Sequence, residues 1–246
     1  MSTDSPAAHV LEPVTTVDHI IDCLGPTDTD RLPLVANLIT LRLQDLAATH
    51  WLIPDAGQRN TVMRNYVLMW GGHALQRGEI DLATSRIPVA GERKSPVPQA
   101  AAVWLHCDQP ESQPAPAPQN YARRLTEYFG PFAARAAELD ALFEKHRPLD
   151  RGPYDCLRFL AAAHEGLGLD AELLRYHLDE LDCRGLGAYL VAADEGSRAL
   201  YEQHGFEQLD RVLELGAGCA GPAHVMYPMW RWPNPSTARL DAAGRP

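Results

Sequence analysis

The sequence predicts a mixed α and β fold, with a central mixed sheet and helices on both of its faces. Three observations lead there. From Asp155 to Trp232, segments of strand character alternate with segments of helical periodicity, and such alternation calls for crossover connections within one sheet. Ahead of them, two helical stretches are followed by two strands. Finally, 46% of the 246 residues are hydrophobic, which suffices for a substantial core within a single domain.

The elements follow in order. Thr16 to Asp22 suits a first strand, and Asp28 or Asp30 can cap a helix whose apolar positions Leu34, Val35, Leu38, Leu41 and Leu46 recur at helical spacing. A second helix is predicted from Gln58 to Gln76, with Val62, Tyr66, Met69 and His73 on one face. Strands near Glu79 to Pro88 and Ala100 to Cys107 are joined by a polar connection containing Gly91 and Pro96. The proline-rich stretch from Pro110 to Gln119 excludes a helix or central strand, because proline lacks a backbone donor and fixes φ. Beyond it, Leu125, Tyr128, Phe129, Phe132, Ala136, Leu139, Leu142 and Phe143 predict one long amphipathic helix that ends before His146-Arg147-Pro148. The rest reads as a strand (Asp155 to Ala162), a helix (Ala171 to Cys183), a strand (Ala188 to Ala192), a helix (Ser197 to His204) and two antiparallel strands (Gln208 to Leu215, His224 to Trp232). Residues 1–14 and 234–246 are rich in Ser, Pro, Ala and Gly; they are expected to be disordered tails of a single domain spanning 15–233.

A formal net charge of −10 argues against a nucleic-acid partner, because phosphate binding relies on a basic surface. The same charge either favours a cationic substrate or serves solubility alone. Cys23, Cys107, Cys156, Cys183 and Cys219 include no closely spaced pair; they read as reduced core residues, and no metal site is expected. No basic-then-apolar leader and no run of about 18 apolar residues occurs, so no membrane partner and a cytoplasmic location are expected.

The first chemical signal is LRFLAAAHEGLGLDAELLR, Leu157 to Arg175. A buried strand feeds a turn with Gly166 and Gly168 and then a helix, and such a turn aims backbone N–H groups at an anion beside the positive end of the helix dipole. The second is EGSRALYEQHGFE, Glu195 to Glu207, after the strand GAYLVAA.

On these two segments the chain resembles the GNAT N-acetyltransferases. Within that family the likeness runs closest to puromycin N-acetyltransferase, through Ala100 to His106 (AAAVWLH) and His146-Arg147-Pro148. The resemblance implies an acetyl-CoA-dependent N-acetyltransferase acting by direct transfer on the amine of a small molecule, antibiotic-like or a specialised metabolite, as a monomer or homodimer. It implies that Leu160, Ala161, Ala162, Glu165, Gly166, Leu167, Gly168, Leu169, Asp170 and Ala171 hold the cofactor, with Ser197 bonding it where the family often has Asn. Tyr201 would be the general acid for the leaving thiolate. A phenol of ordinary pKa about 10 stays protonated at neutral pH and can donate.

The loop departs from the family pattern. Glu165 and Asp170 stand where the family has neutral or basic groups, so they either repel the diphosphate or are harmless, with Asp170 capping the helix, Glu165 in solvent and Arg158 or Arg175 offsetting charge. That departure keeps a second function open, a GNAT-fold protein with another acyl donor or other chemistry, or a non-catalytic binder. Candidates for the base that deprotonates the amine are Asp155, His106 and Asp108. For the acceptor pocket the expected residues are Trp51, Tyr66, Trp70, Trp104 and Arg158, whose aromatic walls suit a flat or cationic substrate.

Overall fold

The computed structural model describes residues 19–85, 97–108, 117–164, 166–216 and 224–235. The tails, the connection with Gly91 and Pro96, most of the proline-rich stretch, Glu165 and Cys219 lie outside the described residues. In chain order the elements are β1 (His19–Leu24), α1 (Leu32–Leu43), α2 (Ala47–Leu52), α3 (Ala56–Arg77), β2 (Gly78–Ser85), β3 (Val97–Cys107), α4 (Tyr121–Phe129), α5 (Ala133–His146), β4 (Tyr154–Ala162), α6 (Leu169–Arg184), β5 (Gly187–Ala192), α7 (Glu195–Gln203), β6 (Glu207–Gln208), β7 (Leu213–Leu215) and β8 (His224–Arg231). The strands form one mixed sheet in the order β1-β2-β3-β4-β5-β8-β6, with β7 also paired to β8. Every pairing is antiparallel except β4 with β5, because α6 is the crossover between those two strands and a crossover returns the chain in the same direction.

Helices cover both faces as the sequence predicts. On one face Val35, Ile39, Val67 and Trp70 pack against Ile80, Leu82, Val103 and Phe159; on the other Leu173, Leu174, Leu178 and Leu181 of α6 pack against Ala102, Trp104, Leu157 and Leu190. At about 25 cal/mol per Å² of apolar surface removed from water, these two layers dominate the stability of the fold.

Five expectations are corrected in detail. Neither Asp28 nor Asp30 caps α1, which starts after Arg31 with proline in its first turn; Asp28 instead accepts the Gly25 N–H at 2.9 Å to close the preceding turn. Leu34 and Leu41 face solvent while Val35, Ala36, Leu38 and Ile39 are buried, and Leu46 opens the short helix α2. The single long helix is two, because Gly130 at φ 50° and Pro131, which has no N–H to donate, force a 3₁₀ turn between α4 and α5. The strand from Gln208 to Leu215 is likewise split: Leu209 bonds the Pro228 carbonyl at 2.8 Å, and Pro228 has no N–H with which to continue that ladder. Among the cysteines, Cys23 and Cys183 are exposed rather than in the core.

Candidate active site

β4 and β5 pair over only four rungs, from Tyr154 with Gly187 to Leu157 with Leu190. Beyond Leu157 they separate, and β4 runs on alone beside β3 to Ala162. A bulge marks the same place. Val103 faces Phe159 and Trp104 faces Leu157, which leaves Arg158 without a partner on β3. A bulge shifts the alternation of side chains by one, so Arg158 joins Phe159 on the α3 and α5 side of the sheet.

The separation opens into a cavity of about 450 Å³, lined from the β5 side by Val191, Asp194, Ser197 and Tyr201 and from the other by Tyr66, Trp70, Tyr121, Asp140, Phe143 and Arg158. Its far wall is a polar cluster in aromatic surroundings. The Arg158 guanidinium stands 4.2 Å from the Trp70 ring centre and 5.1 Å from that of Phe143, donates to the Tyr66 hydroxyl, and lies 3.9 Å from Asp140 Oδ1. Tyr121 donates to Asp140 Oδ2 at 2.7 Å. Burial raises the Asp140 carboxyl above the usual range, although Arg158 and the Tyr121 hydrogen bond pull it back. Of the aromatic faces expected to receive a cationic substrate, those of Tyr66 and Trp70 are therefore already met by a cation of the chain itself.

Tyr201 reaches the cavity from α7, whose start is fixed by a capping box. Asp194 Oδ1 accepts the Ser197 N–H at 2.8 Å, and the Ser197 hydroxyl accepts the Asp194 N–H at 3.1 Å. The Ser197 hydroxyl donates back within this box, to Asp194 Oδ1 at 2.8 Å. Tyr201 is buried, with Phe206 edge-on at 5.8 Å. Burial first, then the carboxylates of Asp170 and Asp194, push its phenol well above the usual value.

The turn expected to hold a diphosphate is built on two left-handed glycines. Gly166 and Gly168 lie at φ 78° and 71°, and a Cβ at either would meet nothing within 4 Å; a left-handed backbone favours glycine there. The helix that follows is 16 residues long, so its first amides carry a full dipole end. Asp170 is not the cap. Gly168 holds that position, while Asp170 sits inside the first turn and accepts the Ala171 N–H at 2.9 Å. One amide at the start of α6 is thus engaged by a carboxylate.

No protein-family model and no curated protein matches the chain. Solved structures do. A mosquito arylalkylamine N-acetyltransferase-like 5b superposes with a TM-score of 0.59 at 11% identity, over 87% of this chain and 100% of that one. Arylalkylamine N-acetyltransferase 2 from Aedes aegypti gives 0.52 at 12% identity, over 88% and 100%. The Drosophila melanogaster polyamine N-acetyltransferase gives 0.50 at 13%, over 87% and 100%. The fold is that of the GNAT acetyltransferases.

Within this GNAT fold the expected site residues divide. Leu160, Ser197, Tyr201, Tyr66, Trp70 and Arg158 line the cavity. Ala161 and Ala162 are buried on opposite faces of β4, Leu169 is buried, and Gly166, Leu167 and Gly168 form the exposed turn. Trp51 stands apart, under Arg135 at 5.8 Å and against Gly216. Trp104 points the other way, stacked on His177 at 4.1 Å. Asp155 and His106 also lie across the sheet from the cavity: Asp155 is 1% exposed and bonded to His106 Nδ1 at 2.9 Å and His177 Nε2 at 3.1 Å. Asp108 is exposed at the end of β3. A carboxylate so enclosed and twice bonded has no open path to the cavity.

Among the cavity residues that sequence reading missed are Asp140, Tyr121 and Arg42. Arg42 bonds the Ala162 carbonyl at 2.7 Å, where β4 meets the turn. For Asp140 a signal existed: a carboxylate at helical spacing between Ala136 and Phe143, on the apolar stripe of α5. A charge on a buried stripe is rare without a partner or a task.

Proposed function

We propose that the chain is an acetyl-CoA-dependent N-acetyltransferase that acylates the amine of a small molecule by direct transfer. The observation that carries this reading is the parting of β4 and β5 after Leu157 into a cavity with Tyr201 on one wall and Asp140 on the other. Acetyl-CoA supplies the acyl group already activated as a thioester. The turn from Gly166 to Ala171 would hold its diphosphate through main-chain amides, and Leu160 and Val191 would flank the arm that reaches into the cavity.

Asp140 takes the proton that the amine must lose in order to attack. Its raised affinity for protons suits that task, since a carboxylate in the usual range is a weak base at neutral pH. Tyr121 and Arg158 orient it and keep it ionised. Tyr201 holds its proton on Oη throughout the neutral range and delivers it to the departing sulfur, so that no free thiolate accumulates. The Arg158 guanidinium, boxed by Trp70 and Phe143, narrows the acceptor end to amines that fit beside a fixed positive charge.

The sequence resemblance to puromycin N-acetyltransferase and the names of the structural neighbours together choose the acceptors to try: aminonucleosides, arylalkylamines and polyamines. Release of coenzyme A thiol from acetyl-CoA, followed with each amine in turn, tests the reading. Acceptor-dependent release supports it; no release with any class and no binding of coenzyme A by calorimetry sinks it.

One observation favours a second reading. Asp170 occupies an amide of the cradle, and Glu172 adds another carboxylate to the same turn, which suits a GNAT-fold protein that has given up coenzyme A for a different donor or ligand. Saturable coenzyme A binding separates the two.

A further inference from the structure

Across the sheet from the cavity, β1, β2 and α6 assemble a second group of reactive side chains. Cys23 lies directly opposite Asp81 in the antiparallel β1–β2 ladder, and Glu79 stands two residues along β2 on the same face. A thiol and two carboxylates therefore project together, and their donor atoms all lie within 4.8 Å of one another. From α6, His177 closes the group, with Nδ1 3.1 Å from Asp81 Oδ2 and 3.7 Å from Glu79 Oε2.

Two features of this group point to a ligand. Asp81 is fully buried, yet its Oδ1 has no hydrogen-bond partner, and neither has the buried Oε2 of Glu79. A carboxylate oxygen withdrawn from water without a partner is costly. Moreover, His177 Nε2 is tied at 3.1 Å to Asp155 Oδ2, and Asp155 Oδ1 to His106 Nδ1 at 2.9 Å. Imidazoles that ligate metals characteristically donate their second ring N–H to a carboxylate, which fixes the ring and the tautomer. Here that support is already built, on the ring edge away from Cys23, Glu79 and Asp81.

We propose that Cys23, Glu79, Asp81 and Nδ1 of His177 form a binding site for a divalent transition-metal cation of the zinc class. Sulfur, imidazole nitrogen and carboxylate oxygen are each donors that zinc accepts in four-coordinate sites, whereas calcium and magnesium sites are built from oxygen. Metal–donor bonds of about 2.0–2.3 Å require the four groups to draw together, which the exposed Cys23 allows by rotation. Binding releases the thiol proton of Cys23 and the Nδ1 proton of His177 to solvent, and the cation offsets the surplus of buried carboxylate charge. The ion would join β1 and β2 to α6, the helix whose first turn follows Gly168.

The test uses the full chain, reduced and stripped with a chelator, then titrated with Zn²⁺ or Co²⁺ alone. The expected results are one retained equivalent of metal, a raised melting temperature with Zn²⁺, and a sulfur-to-cobalt charge-transfer absorption with Co²⁺. Cys23→Ser should abolish that absorption, and Glu79→Gln should weaken binding at least about tenfold, the scale on which disturbing a metal's surroundings acts. Both positions reach solvent, so two independent variants can be checked for native circular dichroism before they are read. No bound equivalent and no melting shift in the reduced wild type overturns the site, as does an undiminished sulfur band in Cys23→Ser.

Discussion

The Tyr121 hydroxyl donates to Asp140 Oδ2 at 2.7 Å, which joins the first residue of α4 to the middle of α5 across the break at Gly130-Pro131. Burial raises the Asp140 carboxyl above the usual carboxylate range. A base works ionised, so kcat/KM should rise with pH through an inflection displaced upward from the ordinary value of about 4. Asp140→Asn should cost about 10²–10⁴ in kcat and remove that inflection; Tyr121→Phe should shift the inflection further up while sparing most of the rate. A pH–rate profile of the three proteins decides the assignment, and an unmoved acid limb in Asp140→Asn counts against it.

Tyr201→Phe should lower kcat by about 10² or more while coenzyme A affinity stays within a factor of two or so, because the ring and its packing against Phe206 remain. The phenol is held far above neutrality, so Tyr201 itself should add no alkaline inflection in the wild type below its ordinary value of about 10. Turnover with a saturating amine and a separate binding titration read the two effects apart.

Asp170→Asn should tighten coenzyme A binding by about fivefold, the equivalent of ~1 kcal/mol of relieved repulsion near the surface. It should also cost the free protein about 0.3–1 kcal/mol, because a carboxylate in the first turn of α6 favours the helix dipole. Calorimetry and thermal melting are expected to move in opposite directions, and a variant that binds more weakly would show that Asp170 helps to shape the cradle.

The fold was legible wherever a strong local pattern coincided with an element. The strands at Ala100 and Asp155 and the helix that became α3 are such cases, each apolar or periodic over its whole length. Sequence reading failed where parity or a break decided the outcome. Alternation along β4 says that Asp155 and Leu157 share a face, but not which face opens into a cavity, and the bulge at Arg158 reverses the alternation beyond it. Trp104 and Asp155 therefore lie on the side away from the cavity, while Arg158 lines it. Eight apolar positions in phase run across Gly130-Pro131 and mask the break that this pair imposes. Asp140 shows in the sequence only as a charge on an apolar stripe, because its meaning depends on Tyr121 and Arg158, which reach it from other elements.

Arg231 donates through both Nη atoms to Asp182 at 2.7 Å, and the Asn234 N–H completes that carboxylate at 2.7 Å. Arg231→Met leaves Asp182, 2% exposed, charged and uncompensated, and should destabilise the protein by about 3–5 kcal/mol in urea unfolding. The double variant with Asp182→Asn should recover much of the loss, because no buried charge is then stranded.

The position of β8 sets an order on synthesis. The strand comes late in the chain, yet it lies inside the sheet, with β5 on one side and β6 on the other. Until Arg231 has cleared the ribosome, the nascent chain presents the open edge of β5, which other nascent chains can join. Closure of the sheet beside β5 therefore waits for β8, which follows only after α7, β6 and β7.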